Sequence, residues 1–90
     1  MTTRPGAGSR AVHRWEMGIT RSEFDRLLPA AVAEARGLRW RIEATEGKPR
    51  RLGAISMPVL HVVLEVDGGP GAAIDRFVER FLLAFQRAGG

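Results

Sequence analysis

The sequence predicts an α+β domain of two layers, in which two helices cover one face of a three-stranded antiparallel sheet. Three observations support this fold class. Apolar and polar residues alternate along three segments, as they do in half-buried strands. Two other segments repeat apolar residues at helical spacing, and 90 residues suffice for a single domain. The predicted domain spans residues 12–90 and follows a disordered basic tail at residues 1–11, where no periodicity is present.

The first strand is predicted at residues 12–19, where Trp15 and Met17 alternate with charged neighbours. The next element is a helix that begins at Thr20, because Thr20 and Glu23 have the spacing of a capping box. Its N-terminus therefore carries the clearest local signal in the chain.

Apolar side chains then recur at spacings of three and one as far as Ala35, which predicts a helix of about that length. Pro29 lies inside this pattern and predicts a kink or a break, since proline has no N–H for the helical ladder. Gly37 is a natural stop after the helix.

The second strand is predicted at residues 38–45, with Leu38, Trp40, Ile42 and Ala44 facing the core. Turn-forming residues follow at 46–49, and a long extended segment is predicted at residues 51–66. Pro58 marks a bulge or an edge position within that segment, because proline cannot donate to a strand ladder.

The second helix is predicted after the loop at residues 67–71, with Pro70 in its first turn and an apolar stripe from Ile74 to Phe85. The element order is thus β-α-β-β-α. It predicts a ferredoxin-like, split βαβ arrangement without its last strand, in which the third strand lies antiparallel between the other two. The missing strand leaves the first strand as an open edge, which a second copy of the chain would close.

Composition excludes several kinds of site. The chain has no cysteine, which excludes disulfides, zinc–thiolate sites and cysteine nucleophiles and fits a reducing cytoplasm. His13 and His61 lack companions at metal-ligand spacing, and no serine has the context of a catalytic nucleophile. The sequence therefore predicts no enzyme, no metal, no cofactor and no small-molecule substrate. It contains no apolar run of membrane-spanning length and no secretory signal, so a cytoplasmic location is expected.

The net charge of +4 rests almost wholly on arginine, which together with abundant Ala and Gly is first interpreted as the codon composition of a GC-rich genome. The functional interpretation is an affinity for acidic partners or phosphates. Alternation places Arg14, Arg39 and Arg41 on the outer sheet face together with Glu16 and Glu43. Three more cations crowd the neighbouring turn, and the predicted binding residues are Arg14, Arg39, Arg41, Lys48, Arg50 and Arg51. The alternative is a solvated face whose arginines pair with its own glutamates.

Three functional hypotheses follow. The first is a non-catalytic protein-interaction module, a homodimer that docks through the open sheet edge and the arginine-rich face. The second is a nucleic-acid-binding protein that uses the same basic face, although this face has no aromatic residue for base stacking. The third rests on Gly89-Gly90, which resembles the diglycine end of ubiquitin-like carrier proteins; that resemblance covers two residues and implies activation of the C-terminus by a partner enzyme.

Overall fold

The computed structural model describes residues 9–89 and confirms the α+β class. Its main sheet is antiparallel, in the order β1–β5–β2, and is formed by β1 (Ser9–Met17), β2 (Arg39–Glu46) and β5 (Leu60–Gly69). The two helices are α1 (Arg21–Ala31) and α2 (Gly71–Gly89). A separate two-stranded sheet pairs β3 (Arg50–Leu52) with β4 (Ile55–Met57). The strand nearest the C-terminus lies between the other two and antiparallel to both, as expected; the ferredoxin-like assignment stays a prediction.

The core lies between one face of the main sheet and the two helices. Alternate residues of β5 are fully buried there, whereas their neighbours on the same strand are more exposed. Both helices contribute aromatic side chains to the same cluster, so both pack on the same side of the sheet. The buried residues from β5 and the helices include Leu60, Val62, Leu64, Val66, Phe24, Ile74, Phe77, Phe81 and Phe85.

The start of α1 is formed by the predicted capping box. The Thr20 hydroxyl accepts from the Glu23 backbone N–H at 3.1 Å, and the Glu23 carboxylate accepts from the Thr20 N–H at 3.3 Å. Two otherwise unpaired donors are thereby satisfied. The helix runs through Pro29 and ends at Ala31, earlier than the predicted Ala35, because the N–H groups of Ala33 and Ala35 donate to carbonyls three residues back and not four.

The first strand starts earlier than predicted. Ser9 and Arg10 pair with Gly69 and Asp67 of β5, so these residues belong to the sheet and not to a tail. The physical reason is the length of β5, which extends past the predicted end at Val66 and offers them backbone partners. The remainder of the predicted tail, residues 1–8, lies outside the described residues.

The predicted extended segment at residues 51–66 is wrong in its first half. Residues 47–58 form a hairpin, called the arm below, that is separate from the main sheet. Its root is fixed by the Gly47 N–H, which donates to the Val59 carbonyl at 2.9 Å. Pro49 and Pro58 flank the hairpin and interrupt the ladder, since neither has an N–H. At its tip Gly53 has a φ of +64°, which suits the first central position of a type II′ turn.

Candidate docking surfaces

The outer face of the main sheet presents four cross-strand rows of side chains. Asp67 of β5 lies between Arg10 and Arg39, and Glu65 lies between Val12 and Arg41. The remaining two rows are Arg14–Val63–Glu43 and Glu16–His61–Thr45. The structure thus brings Arg14, Arg39 and Arg41 to one face, as the alternation predicts.

This face is balanced in charge, whereas the sequence predicts a basic face. Its four arginines face four acidic residues: Arg10, Arg14, Arg39 and Arg41 against Glu16, Glu43, Glu65 and Asp67. Arg39 forms a salt bridge with Asp67 at 2.9 Å, and Arg10 forms one with Glu65 at 3.4 Å. The expectation is wrong because it counts the charges of the two outer strands alone, whereas Glu65 and Asp67 of the central strand lie on the same face.

The excess positive charge lies on the arm instead. Lys48, Arg50 and Arg51 fall between residues 47 and 58, and no acidic residue does. Arg50 forms an ion pair with Glu16 of the outer face, whereas Lys48 and Arg51 have no ion-pair partner among the described side chains. The six predicted binding residues are therefore divided between the sheet face and the arm.

The arm also carries the two most exposed large apolar residues among the described ones, Ile55 at 65% and Leu52 at 58%. Met57 of the arm is 40% exposed. The pairs Leu52–Ile55 and Arg50–Met57 put these apolar side chains on one face of the hairpin, with Arg51 and Ser56 on the other. Sequence reasoning missed this feature, although a Gly-initiated two-residue turn between two prolines was the available signal.

The two outer strands of the main sheet differ in how their edges are covered. At β2, the Arg21 guanidinium of α1 donates to the Ala44 backbone carbonyl at 2.8 Å. At β1, no described side chain hydrogen-bonds to the backbone and no described strand pairs on the far side from β5. β1 is therefore the more open of the two edges, as the sequence predicts.

An apolar groove of about 400 Å³ runs beside the open edge of β1. It is bounded by the end of β1 and by the last turns of α2. Its apolar lining consists of Trp15, Met17, Ile19, Leu82 and Phe85. A strand laid along β1 would place every second side chain on the same side of the sheet as this groove.

The remaining sequence predictions concern the histidines, the helix lengths and the terminal glycines. Residues 9–89 contain no group of three His, Cys, Asp or Glu side chains arranged to hold a metal ion. His13 lies on the core side of β1 and stacks on Trp15, whereas His61 is on the outer face of β5. Among the described helices, none is both long enough and apolar enough to cross a membrane. Gly89 ends α2, and Gly90, the other half of the diglycine, lies outside the described residues.

Comparison of this chain with protein-family models, with curated proteins and with solved structures finds no match in any of the three.

Proposed function

We propose that this chain is a small protein-interaction module that acts without catalysis or a cofactor, in the cytoplasm, by adding strands at the open edge of β1. Its partner is a second copy of the chain. The observation that carries this proposal is the nine-residue edge strand, which has no described cover along its backbone.

Strand addition suits this edge for physical reasons. An edge strand presents a row of N–H and C=O groups that pair readily with another extended segment. Proteins commonly protect such edges, and the shielding of β2 by Arg21 is an example within this chain. The apolar groove next to β1 supplies a surface for the inward side chains of an added strand, so that hydrogen bonding and apolar burial act together.

The proposal is tested by hydrogen exchange and mass at several protein concentrations. At high concentration we expect a mass near twice 9.9 kDa and slower exchange at alternate amides of β1, since only every second N–H points to the open side. The amides of β2 serve as the internal control and should not change. A monomer at all micromolar concentrations would contradict the proposal.

A second candidate function rests on the charge of the arm. The arm carries three cations and no acidic residue of its own, and two of them, Lys48 and Arg51, have no ion-pair partner among the described side chains. Such a segment suits the phosphates of a nucleic acid, with binding that weakens steeply as salt is added. The balanced outer face does not favour this function, so the arm replaces Arg39 and Arg41 as its main determinant. The carrier hypothesis stays a prediction, because Gly90 is outside the described residues.

A further inference from the structure

The sequence of β1 restricts how two copies can pair through it. This inference rests on the proposed function and specifies its register. In an antiparallel pair, directly opposite residues lie on the same face of the sheet. If the core faces of both copies are to lie on the same side of the joined sheet, every residue must lie opposite one that is an even number of positions away. The two-fold axis then passes between one residue and the same residue of the second copy, and not between two neighbouring positions. The registers that overlap most of β1 are centred on Val12, His13 or Arg14.

Charge distinguishes these three registers. A centre at Val12 places Arg10 opposite Arg14 of the second copy, twice, and a centre at Arg14 places the two Arg14 side chains opposite each other. Like charges directly opposite across strands are destabilising. Only a centre at His13 avoids every arginine–arginine pair.

The register centred on His13 is also complementary in charge and in size. On the outer face, Arg10 lies opposite Glu16 of the second copy, which gives two symmetric ion pairs. On the core face, the large Trp15 lies opposite the small Ala11.

Arg14, which has no salt bridge among the described residues, lies opposite Val12, whose side chain is 40% exposed. We infer that two copies of this chain join into one six-stranded sheet about a two-fold axis at His13.

The other edge offers a competing arrangement. A two-fold axis at Ile42 of β2 would pair Arg41 with Glu43 and Trp40 with Ala44, which is also complementary. In that pairing the Ala44 carbonyl would have to accept a hydrogen bond from the second copy, but it already accepts one from the Arg21 guanidinium. The shielding by Arg21 therefore favours β1.

Single cysteines test the register directly, because the native chain has none. We expect His13→Cys to form a disulfide-linked dimer under mild oxidation, since opposite residues have Cα atoms about 4.5–5.5 Å apart. Val12→Cys and Arg14→Cys are the matched controls. In this register each lies about 8 Å from its own copy, too far for a disulfide. Ile42→Cys reports on the alternative edge and should also fail to cross-link.

A second pair of variants leaves His13 intact. Arg10→Cys and Glu16→Cys should cross-link when mixed, and neither should cross-link alone.

Cross-linking at Val12→Cys, Arg14→Cys or Ile42→Cys would overturn the inferred register or edge while leaving a dimer. A native chain that stays monomeric overturns both the register and the proposed function, so the two failures are distinguishable.

Discussion

Phe81 is the residue on which the core of this thin domain is centred. It is fully buried and stacks on Trp15 of β1, with ring centroids 5.6 Å apart. On its own helix it contacts Phe77 and Phe85, and Phe85 in turn stacks on Phe24 of α1 at 4.9 Å. One side chain thus connects the sheet to both helices, either directly or through Phe85.

Truncating this side chain should therefore be costly. We expect Phe81→Ala to lower the free energy of unfolding by about 3–5 kcal/mol, from lost burial and the cavity left behind. Leu83→Ala on the same helix is the matched control, because Leu83 is 44% exposed and should cost far less. Urea unfolding of both variants measures the difference, and a near-neutral Phe81→Ala would mean that the aromatic cluster does not hold the layers together.

Some sequence signals suffice to predict a helix or strand of this fold, and others do not. The capping box at Thr20, the alternation of β1 and the apolar stripe of α2 predict their elements well, because each is a local preference that tertiary packing reinforces. The arm is not predicted, since its short apolar runs fit a continuous strand as well as a hairpin. The end of α1 is predicted too late, because an apolar stripe shows which face packs and not where the backbone ladder stops.

The arm can be tested as an independent element. Replacing residues 48–58 by an Asn-Gly turn should leave the free energy of unfolding within about 1 kcal/mol, because its apolar side chains are exposed and its ion pair to Glu16 is at the surface. The same variant should lose any salt-dependent binding of nucleic acid to the native chain. Exchanging Arg14 and Arg41 for Gln gives the matched control on the balanced face and should retain that binding.

Either part of this expectation can fail on its own. A large loss of stability by chemical denaturation would mean that the arm supports the main sheet. Nucleic-acid binding that survives loss of the arm would return the function to the sheet face, and an absence of binding by the native chain at low salt would remove this second candidate.

At the scale of the whole molecule, the distribution of surfaces explains why a partner at β1 is the stronger proposal. The helices cover one face of the sheet, the charges of the outer face compensate each other, and Arg21 occupies the Ala44 carbonyl at the edge of β2. Of the two backbone edges of the main sheet, the one left without a described hydrogen-bonding side chain is that of β1, which lies next to the apolar groove. The sequence predicts this edge from the element order alone. The charge balance of the outer face is not predicted, because Arg10 and Asp67 lie beyond the strand bounds that the alternation indicates.

Exchanging the charges of the inferred dimer gives the strictest solution test. Arg10→Glu places a new carboxylate opposite Glu16 of the second copy, and Glu16→Arg places two arginines opposite each other, so each variant alone repels itself twice. With each exposed pair changing by about 1 kcal/mol, the dissociation constant should rise roughly 30-fold in either case. In an equal mixture, one chain carries two acidic residues where the other carries two arginines, and both contacts become attractive.

We therefore expect each variant alone to be largely monomeric and the mixture to recover dimers of mixed composition, as measured by sedimentation or native mass spectrometry. Salt bridges within each chain, from Arg10 to Glu65 and from Arg50 to Glu16, are also altered. They are broken equally in the separate and mixed samples, so they do not contribute to the recovery. Recovery should weaken as salt is added, because exposed ion pairs are screened. Dimers that form equally well from either variant alone would show that Arg10 and Glu16 do not meet across a two-fold axis.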